Sequence, residues 1–143
     1  MNITSQLLSI IATLPLAAPC LAGTVTVDEL VRVYDGDTIT VDIAEWPPVV
    51  GDDISIRVRG LDTPEIRGKC DSEKAMARAA RDRLREMLEG AESIELVDYE
   101  RGRYFRLVAT VMADGKDVAE TLIGEGLARP YDGGKRERWC GSI

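Results

Sequence analysis

Val31-Arg32-Val33-Tyr34-Asp35-Gly36-Asp37-Thr38-Ile39-Thr40-Val41-Asp42-Ile43 runs an apolar stretch through an Asp-Gly step into a strictly alternating one. Successive side chains of a strand point to opposite faces, so Ile39, Val41 and Ile43 share one face and Thr38, Thr40 and Asp42 the other. Asp35-Gly36 predicts a hairpin-type turn between two strands. Upstream, Thr24 to Tyr34 alternates loosely and predicts a strand in two pieces. Downstream, Glu45 to Gly51 holds Trp46, Pro47 and Pro48 and reads as a long hairpin loop. Ile54-Ser55-Ile56-Arg57-Val58-Arg59 then predicts a third strand, apolar on one side with two arginines on the other. Asp62-Thr63-Pro64-Glu65 must leave the sheet, because Pro64 cannot donate to a ladder.

From Ser72 to Leu88 the period becomes helical, with Met76, Ala80, Leu84 and Met87/Leu88 on one face and Gly90 at the C-cap. Ser93 to Asp98 and Phe105 to Met112 predict two more strands, with Asp114-Gly115 as a turn. Asp117 with Glu120 three residues on predicts a capping box for a short helix that Gly126 ends, and the tail from Arg129 reads as polar and irregular. This order predicts a mainly β, α+β fold: a five-stranded antiparallel barrel of the OB type with two or three packed helices.

The 143 residues carry 45% hydrophobic and 30% charged side chains, the balance of one globular domain with a modest core. The net charge of −7 is the wrong sign for bulk attraction to phosphate, so any nucleic-acid role must rest on a local site. No histidine is present, which removes Ser–His–Asp and Cys–His catalysis and the histidine zinc sites. Acid–base work falls to carboxylates, lysine, tyrosine or a metal-bound water. Residues 1–22 hold no charged side chain, and Leu7 to Ala18 with Cys20-Leu21-Ala22 predict a cleaved signal peptide and a periplasmic or secreted domain over 23–143. A retained anchor and a lipid-modified Cys20 are the alternatives. Export leaves Cys70 and Cys140 as an even pair where disulfides form, although two free thiols are the other reading. A bridge would close a loop of about 70 residues, worth about 4 kcal/mol in the chain-entropy model.

Asp35 and Asp37 flank the turn, and Asp62 and Glu65 bracket the Thr-Pro bend. Asp-Gly turns abound, but together these residues gather hard oxygens that suit Ca²⁺ or Mg²⁺ and not zinc or copper. Val33-Tyr34-Asp35-Gly36-Asp37-Thr38, Arg57 five residues before Asp62-Thr63-Pro64-Glu65, Tyr104-Phe105-Arg106-Leu107, Ala113-Asp114-Gly115-Lys116 and Gly126-Leu127-Ala128 follow in one order. In this the chain closely resembles the staphylococcal nuclease (thermonuclease) family over roughly residues 25 to 131. The resemblance implies a Ca²⁺-dependent nuclease acting on DNA or RNA, single-stranded or locally opened. Asp37 and Asp62 would bind Ca²⁺ with the Thr63 carbonyl, and Glu65 would be the general base. Arg57 and Arg106 would grip the scissile phosphate, Arg103 and Tyr104 would contact a terminal phosphate, and Tyr131 lies near a base-contacting position. Asp35 would neighbour the metal without binding it.

Three features depart from the family pattern. The hairpin between Asp37 and Arg57 is longer, Phe105 stands where a glycine is usual, and no long C-terminal helix precedes Trp139-Cys140. A Cys70–Cys140 bridge is the expected substitute for that helix. Trp139 reads first as packing and second as a base-stacking residue, and Lys135 to Arg138 as a solvated run. The competing reading is a catalytically weak or silent OB-type nucleic-acid-binding module of the cell envelope. No protein partner and no stable membrane association after processing are inferred.

Overall fold

The computed structural model describes residues 23–141, so the expected signal segment and Cys20 lie outside the described residues. The alternating runs become strands β1 (Thr24–Thr26), β2 (Glu29–Val33) and β3 (Thr38–Asp42). The Trp46-Pro47-Pro48 loop contains one helical turn, α1 (Pro48–Gly51), with Pro48 at its first position, where no amide donor is needed. Next come β4 (Ile54–Val58), β5 (Leu61–Asp62), α2 (Asp71–Glu89), β6 (Ile94–Arg101) and β7 (Leu107–Ala113). The chain continues through β8 (Lys116–Asp117), α3 (Val118–Gly124) and β9 (Arg129–Pro130).

The main sheet runs β1-β6-β7-β4-β3-β2, with β8 on β7, and curls into a half-barrel that the helices cover. Its five longer strands, β2, β3, β4, β6 and β7, are those expected, and the OB-type α+β class holds. The expectation that every pairing is antiparallel is corrected: β4 pairs parallel with β7, Ile56 opposite Leu107. The connection between these two strands contains a 19-residue helix, long enough for a parallel crossover. A second small sheet pairs β5 with β9, Asp62 opposite Arg129. This ties the exit of the acidic loop to the start of the tail that was expected to be irregular.

Ile39, Val41, Ile43, Ile56, Leu96 and Val111 fill the barrel and are fully buried. α2 closes one side with Ala77, Ala80, Leu84 and Leu88, while Met76 and Met87 are only half-buried at the edge of the predicted face. Gly36 is buried because a Cβ there would stand 2.8 Å from Cβ of Ala80 and from Cγ2 of Thr63. The turn glycine therefore lets α2 and the acidic loop close on the β2–β3 turn. Asp117 caps α3, its Oδ1 accepting the Ala119 amide at 2.7 Å, but among the described residues Glu120 makes no return bond, so the expected capping box is only half formed. Among the described residues no helix is long and apolar enough to cross a membrane.

Candidate active site

Asp37 immediately precedes β3, and its amide donates to Asp35 Oδ1 at 3.1 Å, so the turn holds both carboxylates on one side. Asp37 is 2% exposed and Asp62, at the end of β5, 4%. Oδ1 of Asp37 accepts from Thr38 Oγ1 at 2.9 Å and from Arg57 Nη1 at 2.6 Å, and its Oδ2 accepts from Thr63 Oγ1 at 3.2 Å. Arg57 reaches Asp37 because β3 and β4 place Thr38 opposite Arg57. Oδ2 of Asp62 accepts from the Trp139 indole at 3.1 Å. Burial first, and then the charge of Asp37, push the Asp35 carboxyl up to about 7, against the backbone hydrogen bond it accepts from Asp37.

Glu65 stands at the rim of this pair on the loop that follows Pro64. Buried Glu73, in the first turn of α2, holds that loop: it accepts the Lys69 amide at 3.0 Å and the Glu65 amide at 3.4 Å. Sequence reading missed Glu73, whose signal was a glutamate three residues after Cys70, where a helix-start carboxylate reaches back. Cys70 caps α2 at Cα 6.0 Å from Cys140, with the two sulfurs at bonding distance. Glu73 Oε2 lies 3.1 Å from Cys140 Sγ. Sulfurs joined to each other would present no thiolate, and with these two at bonding distance the trio with Glu73 reads as a packing contact before a metal site.

The largest departure from expectation is Arg136, within the run that reads as solvated tail. Its Nε lies 2.8 Å from Asp62 Oδ1, its Nη2 3.6 Å from Asp37 Oδ2, and its Nη1 bonds Glu65 Oε1. Burial opposes its charge, but the charge of Asp62, the hydrogen bond to Glu65 and the charge of Asp37 outweigh it and hold the guanidinium above its ordinary value. Asp62 Oδ1 nevertheless receives no aligned hydrogen bond and remains a buried acceptor without a donor. Two buried carboxylates, a rim glutamate and an orphaned oxygen form an all-oxygen set that fits a hard divalent cation. Burial of such charges is costly unless they are paired, and Arg57 and Arg136 supply that pairing.

A cleft of 780 Å³ opens beside the acidic cluster and is lined by Arg57, Glu65, Arg106, Arg136, Tyr34 and Thr40 among others. Arg57 Nη2 is buried and has no hydrogen-bond partner, and Arg106 has no ion-pair partner among the described residues. The structure thus brings Arg57, Glu65 and Arg106 to one cleft, while buried Asp37 and Asp62 join it through Arg136, which lines the cleft and pairs with both. It separates Tyr104, which is 88% exposed and lines a neighbouring groove with Phe105, Trp46 and Val50. The groove and the cleft share Asp53 and Ser55. Arg103 is exposed at the tip of the same turn. Tyr131 belongs to the tail, its hydroxyl donating to the Gly134 carbonyl at 2.9 Å. Trp139 donates to Asp62 and lies under the Arg129 guanidinium, 3.8 Å from its ring centre, which favours the packing reading.

Phe105 takes φ 57° and Tyr104 φ 58°, both left-handed, in a tight turn closed by the Arg106 amide on the Arg103 carbonyl at 3.3 Å. Such a turn calls for positive φ at both central positions, which accounts for the usual glycine. Phe105→Gly is expected to stabilise the fold by about 1 kcal/mol through relief of left-handed backbone, since the ring is 87% exposed. Denaturant unfolding measures this, and a loss of stability would show that contact of the ring with Arg101 outweighs the strain.

The family model described as staphylococcal nuclease homologue matches residues 55–138. SPbeta prophage-derived endonuclease YokF of Bacillus subtilis (strain 168) is 35% identical over 102 residues, covering 68% of this chain and 32% of that protein. Endonuclease YncB of the same strain is also 35% identical over 102 residues, covering 68% of this chain and 44% of its own length. Staphylococcal-like nuclease CAN1 of Arabidopsis thaliana is 34% identical over 76 residues, covering 53% of this chain and 21% of its own. The chain therefore spans less than half the length of these curated relatives. With the matched span running from the strand that carries Arg57 to the tail that carries Arg136, the chain belongs to the staphylococcal nuclease family.

Proposed function

We propose that this chain is an exported, Ca²⁺-dependent nuclease that hydrolyses phosphodiester bonds of DNA or RNA. The observation that carries this reading is one cleft lined by Arg57, Glu65 and Arg106, with the buried carboxylates of Asp37 and Asp62 bonded to its arginines Arg57 and Arg136. Asp37, Asp62 and the Thr63 carbonyl would hold Ca²⁺, which supplies charge that offsets repulsion between an anionic phosphodiester and the attacking oxygen. The unbonded Nη2 of Arg57 and the unpaired guanidinium of Arg106 grip non-bridging oxygens and take up the charge that grows on them. Glu65 accepts the proton of water as its oxygen bonds to phosphorus. The opposite P–O bond then breaks, and the leaving oxygen, facing Arg106, takes a proton from solvent. Arg103 and Tyr104 flank this cleft as substrate contacts, and the adjoining aromatic groove accepts unpaired bases. A Cys70–Cys140 disulfide, formed after export, holds the tail against α2.

The ion pair of Arg136 with Glu65 favours a second reading, a silent binding module whose base is occupied. Incubation of single-stranded and plasmid DNA with Ca²⁺, with Mg²⁺ and with chelator separates the two. Cleavage that requires Ca²⁺ and stops on chelation is expected. Intact DNA in every arm would overturn the enzyme reading, and equal cleavage with Mg²⁺ alone would overturn the Ca²⁺ assignment.

A further inference from the structure

We propose that Arg136 is a built-in competitor for the divalent cation, so that the tail carrying it must give way before the cation enters. This rests on the reading of Asp37, Asp62 and Glu65 as a cation site. One guanidinium touches all three carboxylates, through Nη2, Nε and Nη1 respectively. A cation held by the same oxygens needs the same space. Arg57 is the other cation on the cluster, bonded to the opposite oxygen of Asp37. Three carboxylates thus face two guanidiniums, and one negative charge is left over. A divalent cation in place of Arg136 would balance three charges with three.

The tail offsets that advantage by tethering. Its near end is fixed by β9 on β5 and by the Tyr131 amide on the Gly60 carbonyl at 3.0 Å. Its far end is fixed by Cys140 against Cys70 and by Trp139 on Asp62. Arg129 ties the two ends together, stacked on Trp139 and donating to the Arg138 carbonyl at 3.2 Å. A guanidinium on so short and doubly anchored a strap meets the carboxylates at an effective concentration in the millimolar range or above. The closed strap occupies Glu65 as well as the cation place, so a single displacement frees the base and the binding oxygens together. Apparent affinity for the cation falls by the fraction of molecules whose strap is open. A strap closed nine-tenths of the time weakens binding about tenfold.

Calorimetric titration of Ca²⁺ into the purified oxidised protein tests this without reference to turnover. Arg136→Gln is expected to bind Ca²⁺ at least about tenfold more tightly than wild type. Arg136→Lys, with one ammonium that cannot span three carboxylates, is expected to fall between them. Reduction of the cysteine pair in wild type is expected to move affinity toward that of Arg136→Gln, because it releases the far anchor. Equal or weaker binding by both substituted proteins would overturn the competition and leave the cation site standing. Absence of Ca²⁺ binding in all three proteins would overturn the site and the competition alike. Tighter binding by Arg136→Gln with no response to reduction would overturn the role given to the cysteine anchor.

Discussion

Glu65→Gln is expected to slow phosphodiester cleavage by about 10²–10⁴-fold, the usual contribution of a positioned general base. The substitution keeps size and shape and leaves the Glu65 amide on Glu73, so the loop retains its support. About half of the Glu65 side chain is exposed, and the melting temperature should change little. The loss should appear in kcat with KM nearly constant, since Glu65 acts on water and not on substrate binding. Arg57→Gln is expected to lose about 10²–10³-fold, as for removal of a donor that stabilises growing charge. It should also destabilise the fold, because buried Asp37 loses its guanidinium partner. Steady-state cleavage of a single-stranded oligonucleotide at saturating Ca²⁺ checks both. A Glu65→Gln rate within about threefold of wild type would exclude Glu65 as the base, since proton transfer contributes far more than that.

The second large effect concerns stability. Cys70 and Cys140 are separated by 70 residues, so a bridge between them restrains about half of the 143-residue chain when unfolded. Cys70→Ala with Cys140→Ala is expected to cost about 4 kcal/mol. In a domain of this size that lowers the melting temperature on the order of 15 °C. The folded contacts point the same way: the pair joins the start of α2, which holds the Glu65 loop through Glu73, to the tail that holds Asp62 through Trp139. Melting of the purified protein with and without reductant measures the effect. Identical curves would show that the two cysteines do not form a stabilising bridge.

Much of the fold was legible because it is written in neighbours along the chain. Alternation over residues 38–43 and 54–58 dictates two strands, since side chains two apart must share a face. A 3.6-residue period dictates α2, and the Asp117 side chain dictates where α3 begins. The spacing of Asp37, Arg57, Asp62 and Glu65 was equally local: a turn, a strand and a proline-enforced exit bring them to adjacent strand ends. The parallel β4–β7 pairing was not legible, because periodicity says which residues share a face but not which strands become neighbours.

The sequence by itself therefore determined the barrel strands, the two longer helices and the family to which the oxygens and arginines belong. Only the tertiary structure decided that Tyr104 faces a neighbouring groove and that Arg136 closes on the acidic cluster. Glu65 and Arg136 lie 71 residues apart in the chain, and no repeat or spacing links them. Their meeting depends on the path of an aperiodic tail, which β9 and Cys140 anchor at its two ends. Attraction between charges follows distance in space, and for a segment without periodic structure that distance exists only once the rest of the chain has folded.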